Sequence, residues 1–171
     1  MSALYILDGY NVIWKIPKLR EIKSSRGLEE SRKALAAMLS DINRKRPRIK
    51  FKVIFDGKDE EMISYSRPGS RGMDCSFTKS GEEADDYIGM MLKNRKDNAG
   101  VVVISADNKV RNMCKIYGAL AQEPLALLKL LGNHSKVTKT TKSDEKDIRQ
   151  QNAGDITKWY IEQLKKKGNS L

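Results

Sequence analysis

Three short, largely apolar runs constrain the fold of this chain more than any other feature of its sequence. They occupy residues 4–7, 51–55 and 101–105. Strands that are apolar along their whole length, rather than at alternate positions, are typical of parallel sheets that helices cover on both faces. The runs therefore predict an α/β fold, namely a three-layer α/β/α domain with a mostly parallel central sheet.

Helical and shorter strand-like segments fill the intervals between these runs. Residues 28–44 have the periodicity of a helix with one buried face, from which we expect Arg32 to point away, and Ser31 to be an ordinary surface position. Residues 12–22 are ambiguous because Pro17 interrupts any helix near their middle. The remaining predicted elements are strands at 73–77 and 119–121, helices after 82–86 and over 109–117, and a short helix or buried turn at 124–131.

The composition of the chain changes after Gly132. Residues 1–132 are predicted to form the α/β domain, and residues 133–152 are polar with little apolar content, which predicts a linker. Residues 153–171 predict a basic amphipathic helix. This C-terminal helical arm either docks on the domain or contacts a partner such as RNA.

Each apolar run leads into an aspartate, respectively Asp8, Asp56 and Asp107. The carboxyl ends of parallel strands meet at one edge of a sheet, and ligands of open α/β folds bind there. Aspartate is also common in turns and helix caps, which is the structural alternative for any one of the three. We expect the three carboxylates to lie along the same edge.

Four further carboxylates, within residues 82–86, open the helix that should begin at this edge. Their structural explanation is the helix dipole, which needs only one or two acids. At about 100° per residue, Asp85 is best placed to meet the strand-end aspartates and Asp86 points largely away. Glu83 can join them only if it precedes the first turn, and Glu82 is expected to cap the helix.

Packed carboxylates raise one another's pKa unless cations neutralise them. Mg²⁺ or Mn²⁺, hard ions that prefer oxygen ligands, are therefore the expected cofactors. Lys and Arg number 33 against 22 Asp and Glu, which gives a net charge of +11 and implies an anionic partner, most often nucleic acid. The two features together predict phosphodiester hydrolysis assisted by metal ions.

Other chemistries have little support in the sequence. The chain has two cysteines, Cys75 and Cys114, and a single histidine, His134, without metal-ligand spacing. Catalysis by a serine–histidine or cysteine–histidine pair is therefore poorly supported. No stretch is apolar enough to span a bilayer and no signal peptide precedes the first strand, so we expect a cytoplasmic protein without membrane contact.

Four segments resemble the motifs of PIN-like nucleases, and among these the NYN domain of bacterial YacP-type proteins. They are LDGYNVI at 7–13, IFDG at 54–57, EADDYI at 83–88 and SADN at 105–108. The third is also similar to a stretch of the bacterial 5′ nucleases. The resemblance covers roughly residues 3–125, and it implies a PIN-like domain and a metal-dependent endoribonuclease.

The resemblance also implies roles for the acidic residues. The expected core metal ligands, which are also the expected catalytic residues, are Asp8, Asp85 and Asp107, with Glu83 as a fourth. Asp56 and Asp86 would bind metal through water or hold a second ion.

Four residues are candidates for contact with nucleic acid. Asn11 would orient Asp8 or touch phosphate, or is simply a turn residue. Arg67 and Arg71 lie in a Gly- and Ser-rich segment that either meets phosphates or is a plain loop. Lys109 stands where the 5′ nucleases carry a second acid, so the second ion would be weakly held or arrive with substrate.

Two other functions compete with the nuclease. A non-catalytic RNA-binding or ribosome-associated adaptor would bind RNA independently of metal. A phosphatase of the haloacid dehalogenase type needs a second aspartate where this chain has Tyr10, and is disfavoured. RNA is the expected partner and the ribosome a second candidate, while the RNA sequence, the number of metal ions and the oligomeric state are left open.

Overall fold

The computed structural model describes residues 2–57, 73–79 and 81–132 of the chain. Arg67 and Arg71 lie outside the described residues, as do the predicted linker (133–152) and the predicted C-terminal helix (153–171). What the sequence indicates about them stays a prediction.

A five-stranded sheet forms the centre of the described residues, in the order β3-β2-β1-β4-β5. Every neighbouring pair of strands is parallel. The predicted α/β fold is confirmed, and in the described part of the chain the sheet is parallel throughout. The strands are β1 (Ala3–Asp8), β2 (Ile49–Phe55), β3 (Met73–Phe77), β4 (Val101–Ile104) and β5 (Leu120–Gln122).

Helices connect the strands and follow the last one. None of those in the described residues is both long and apolar enough to cross a bilayer. Their bounds are α1 (Gly9–Lys15), α2 (Pro17–Arg26), α3 (Leu28–Lys45), α4 (Ala84–Asn94), α5 (Asn108–Tyr117) and α6 (Ala126–Leu131).

The ambiguous segment 12–22 contains parts of two helices. Pro17 does not break a helix but begins one, because it is the first residue of α2. A proline is tolerated at that position, where its missing N–H would have had no partner within the helix. The short helices α1 and α2 therefore follow each other with only Ile16 between them.

The core joins the sheet to helices α4 and α5. Ile6 of β1 and Val103 of β4 are fully buried and share one apolar cluster with Ile88 of α4 and Val110 of α5. Helices α1, α2 and α3 pack on one another, and α3 also packs on β2, β3 and α6. The sheet is thus held by two separate groups of helices.

The strand order reverses between β1 and β4. From β1 the chain proceeds to β2 and β3 on one side, and it then crosses to β4 and β5 on the other. The crevice outside the carboxyl ends of the strands at such a reversal is where ligands of open α/β sheets bind. Asp8 ends β1 and Asp107 closely follows β4, so the topology brings these two acids to the reversal.

Two predictions for α3 are wrong. Ser31 is fully buried, and its Oγ donates a hydrogen bond to the carbonyl oxygen of Leu19 at 2.7 Å. Arg32 is buried too, and its Nη2 donates to the hydroxyl of Tyr10 at 2.9 Å. The physical reason differs for the two residues. Helix α2 packs along α3 and covers Ser31, whereas the guanidinium group of Arg32 lies among the rings of Tyr10, Phe55 and Phe77.

We expect Ser31→Ala to lower the free energy of unfolding by about 1 kcal/mol, because it removes a buried hydrogen bond between α2 and α3. Urea denaturation measures the change. Ser25→Ala is the matched control, because Ser25 also donates to a backbone carbonyl, that of Glu21 at 2.9 Å, but at an exposed position. Equal stability of the two variants would contradict the importance of the buried bond.

Candidate functional site

Asp8 is the most buried of the candidate acids, with 8% of its surface exposed. It ends β1 and caps α1, and its Oδ1 accepts a hydrogen bond from the backbone N–H of Asn11 at 3.0 Å. Burial raises the pKa of Asp8 to about 6; the Asn11 bond opposes the rise, and the negative charges of Asp85, Asp56 and Asp107 add to it. Three other carboxylates therefore lie near enough to Asp8 to act on its pKa.

Asn11 ties two loops of this edge together. Its side-chain Oδ1 accepts a hydrogen bond from the backbone N–H of Ala106 at 2.9 Å, in the loop between β4 and α5. The sequence suggested that Asn11 orients Asp8 or contacts phosphate. In the structure the backbone of Asn11 bonds to Asp8, while its side chain links the end of β1 to the loop that precedes Asp107.

Asp56 caps helix α4 from a neighbouring strand end. Its Oδ1 accepts a hydrogen bond from the backbone N–H of Ala84, the first residue of α4, at 2.6 Å. The expectation that Glu82 caps this helix is wrong, because its carboxylate instead lies 3.4 Å from the backbone nitrogen of Lys79. Sequence patterns search for a cap just before the helix, and this cap comes from a residue distant in the chain.

Thr78, which sequence reasoning missed, holds the ends of β2 and β3 against the start of α4. Its hydroxyl is buried, accepts from the backbone N–H of Gly57 at 3.0 Å and donates to the carbonyl of Glu82 at 2.6 Å. A Cβ at Gly57 would lie 1.9 Å from the carbonyl oxygen of Thr78, so only glycine fits there. In the sequence, the Asp-Gly pair after β2 was the feature that could have indicated this close contact.

Glu83 and Asp85 differ in their relation to α4. Glu83 precedes the helix with an extended backbone, at φ −80° and ψ 146°, and its side chain makes no capping bond. Glu83 thus precedes the first turn of α4, which is the condition under which the sequence allows it to join the strand-end acids. Asp85 lies in the first turn, where burial and then the negative charge of Asp107 raise its pKa, while Lys109 lowers it.

Asp107 caps α5 in the same manner as Asp8 caps α1. Its Oδ1 accepts hydrogen bonds from the backbone N–H groups of Lys109 at 2.6 Å and Val110 at 3.3 Å. These two bonds fix the carboxylate at the end of the loop that follows β4.

Lys109 forms an ion pair between α5 and the acids at the start of α4. Its Nζ lies 2.6 Å from Oδ1 of Asp86 and 3.8 Å from Oε2 of Glu83. The hydrogen bond to Asp86 raises the pKa of Lys109. The ammonium group of Lys109 therefore neutralises part of the negative charge of residues 82–86, and the side chain of Asp86 faces it.

The acids that come together are Asp8, Asp56, Asp85 and Asp107, with Glu83 beside Asp85. The charges of Asp56, Asp85 and Asp107 act on the pKa of Asp8, and those of Asp56, Asp107 and Glu83 act on that of Asp85. Within residues 2–57, 73–79 and 81–132, however, no three acidic, cysteine or histidine side chains converge tightly enough to hold a metal ion as they stand. All the donors are carboxylate oxygens, which suits Mg²⁺ or Mn²⁺. The donor chemistry fits such an ion, and ready-made coordination is absent from the described residues.

A family model described as the YacP-like NYN domain matches residues 5–168. The crystal structure of Rae1 (YacP) from Bacillus subtilis has 21% sequence identity and a TM-score of 0.63, over 99% of this chain and 96% of that one. A tryptophan-to-leucine mutant of that protein has 23% identity and a TM-score of 0.60, over 75% and 74% of the two chains. These structures share the fold. The search of curated proteins found no match.

We expect Asp8→Asn to raise the free energy of unfolding at pH 7 by up to about 3 kcal/mol in the presence of chelator, and to change it little at pH 4. The raised pKa, about 6 against the ordinary 3.8, means that the folded chain holds this proton where the unfolded chain has lost it. Stability therefore falls as the pH rises through that window. Asparagine removes the penalty and can still accept the Asn11 N–H.

Urea denaturation across this pH range measures the effect of Asp8→Asn. Asp97→Asn is the matched control, because the exposed Asp97 also accepts a backbone N–H, that of Ala99, at 2.8 Å. A benefit of Asp8→Asn that did not depend on pH would contradict the assigned cause.

We expect Lys109→Met to raise the pKa of Asp85 further, because the ammonium group of Lys109 opposes the effect of burial and of Asp107. NMR titration of the carboxyl carbons without metal measures this pKa. Lys115→Met, at an exposed position of the same helix, should leave it unchanged. A fall in the pKa of Asp85 after Lys109→Met would show that the lysine is not its electrostatic neighbour.

Proposed function

This chain belongs to the YacP-like NYN domain family, and from that premise we propose that it is a metal-dependent endoribonuclease that hydrolyses RNA phosphodiester bonds in the cytoplasm. The observation that carries the proposal is the group of carboxylates at the reversal of the strand order. Burial and neighbouring acids raise the pKa of Asp8 to about 6, a cost that a bound cation would remove. Perturbed acids in a ligand-binding crevice are typical of functional sites.

Asp8, Asp85 and Asp107 are the proposed ligands of Mg²⁺ or Mn²⁺, with Glu83 as a fourth. When bound, such an ion supplies Lewis-acid polarisation of the scissile phosphate and activation of water. Asp8 and Asp107 each use Oδ1 to accept a backbone N–H, which fixes the carboxylate and leaves its second oxygen for the cation.

Asp56 and Asp86 are proposed to act less directly. Asp56 accepts the N–H of Ala84, and Asp86 pairs with Lys109, so both already have a structural partner. They would contact the ion through water or hold a second one. The ammonium group of Lys109 supplies positive charge beside the acids, where a phosphate approaching the site would also meet it.

The charge of the whole chain supports RNA as the substrate. A net charge of +11 attracts a polyanion, and lysine and arginine contacts to phosphate supply most of the affinity of nucleic-acid-binding proteins. Arg67 and Arg71, outside the described residues, and the side chain of Lys109 are the proposed phosphate contacts. Ribosome-associated RNA is included in this substrate class.

A second candidate function is a non-catalytic RNA-binding adaptor, on its own or on the ribosome. The observation that favours it is that no three carboxylates converge on a common point in the described residues. Such an adaptor would bind RNA equally well with and without divalent metal, whereas the nuclease requires metal for cutting.

We expect the protein with Mn²⁺ to cut RNA, and Asp85→Asn and Asp107→Asn each to slow cutting by at least about a hundredfold, as expected when a preorganised electrostatic group is lost. Gel analysis of a labelled RNA measures cutting, and calorimetric titration of Mn²⁺ measures whether each variant still binds metal. Both substitutions keep the size of the side chain, so the fold should persist.

Glu82→Gln is the matched control, since Glu82 belongs to the same acidic cluster but contacts the backbone of Lys79 instead of the strand-end acids. It should cut RNA at the normal rate. Unchanged cutting by both aspartate variants would refute the assignment. RNA binding without cutting, insensitive to chelator, would favour the adaptor.

A further inference from the structure

Trp14 is a large aromatic side chain that the fold leaves on the surface. Helix α1 buries Gly9, Val12 and Ile13 against the rest of the domain, which turns Trp14 outward with 49% of its surface exposed. Neither packing of the core nor the acidic centre uses this ring. Tryptophan offers a flat face on which other planar groups stack.

A lysine from the next helix lies over this ring. The Nζ of Lys23 in α2 is 3.5 Å from the centre of the Trp14 ring, the geometry of a cation–π contact. Neither Lys23 nor the exposed Lys15 forms an ion pair with a carboxylate in the described part of the chain. The surface beside Trp14 therefore combines an accessible aromatic ring with uncompensated positive charge.

Trp14 lies close to the acidic centre along the chain. Asp8 caps α1 and Trp14 is six residues later, so the rise of an α-helix separates them by about 9 Å along its axis. A strand of RNA that places one phosphate at the acids and runs along α1 would bring a nearby base over Trp14. A nucleotide has the two chemical features that this surface complements, a planar base and a phosphate.

We propose that Trp14 and Lys23 form a subsite for one nucleotide of single-stranded RNA, in which the base takes the place of the Lys23 ammonium group over the Trp14 ring and that ammonium group moves aside to contact the phosphate. This subsite rests on the proposed function and deepens it, because it selects unpaired RNA beside the cutting centre. Stacking on aromatic side chains tolerates any base, since every base has a flat face. The subsite holds the strand without reading its sequence.

Binding of a short oligoadenylate to the full-length chain in chelator, which prevents cutting, tests the subsite. Trp14→Ala should weaken binding roughly 5- to 150-fold, the range for loss of one stacked base. It should leave the salt dependence of binding unchanged, because stacking is not ionic. Lys23→Met should instead lower the slope of log affinity against log salt by about 0.7, the effect of one lost phosphate contact on a single strand.

Two controls separate stacking from other effects. Leu125→Ala removes an apolar side chain of similar exposure, 47%, at the start of α6, and should not change affinity. An oligonucleotide of the same length without bases should bind the parent chain and Trp14→Ala equally. In the Trp159→Phe variant, Trp14 is the remaining tryptophan, and its fluorescence should be quenched by oligoadenylate but not by the baseless strand.

Equal affinity of Trp14→Ala and the parent chain for oligoadenylate would overturn the subsite. That result would leave the nuclease proposal intact as long as Asp85→Asn still abolishes cutting. Failure of the parent chain to bind RNA at all would overturn both proposals. Weaker binding of Trp14→Ala to the strand with bases alone supports the subsite.

Discussion

The strand-end aspartates Asp8, Asp56 and Asp107 each accept a backbone N–H at the start of a helix. The free N–H groups of a helix start need acceptors, and a carboxylate there is also favoured by the helix dipole. Three helix starts therefore hold three carboxylates at one edge of the sheet. Capping and the grouping of the acids are one arrangement, in which the helices stabilise charges that would otherwise repel one another.

Much of this arrangement follows from local sequence. The apolar runs predict the parallel strands, and the turn after each strand predicts where its acid lies. The sequence treats capping and metal binding as alternatives for these residues, whereas the structure shows that capping engages only one oxygen of each carboxylate. The two explanations are therefore compatible, and the family match of residues 5–168 agrees with the resemblance of the four motifs.

The parts that sequence reasoning missed depend on contacts between distant segments. Ser31 is buried because α2 covers α3, and the sequence around Pro17 did not clearly predict α2. Arg32 is buried among aromatic rings of α1, β2 and β3. Asp56 reaches α4 across the sheet edge, so the sequence around Ala84 does not indicate which residue caps this helix. Lys109 pairs with Asp86 because α4 and α5 pack together. Periodicity describes one element at a time, and these residues depend on which elements become neighbours.

The capping role of three of the acids changes how related sequences should be compared. A related chain without catalytic activity would still need a cap at positions 8, 56 and 107, and aspartate, asparagine or serine would satisfy that need. Retention of aspartate there is consequently weak evidence of activity across a family. Asp85 accepts no hydrogen bond from the described residues, and the burial and negative neighbours that raise its pKa make it costly to keep. Position 85 is where selection for chemistry is separable from selection for folding.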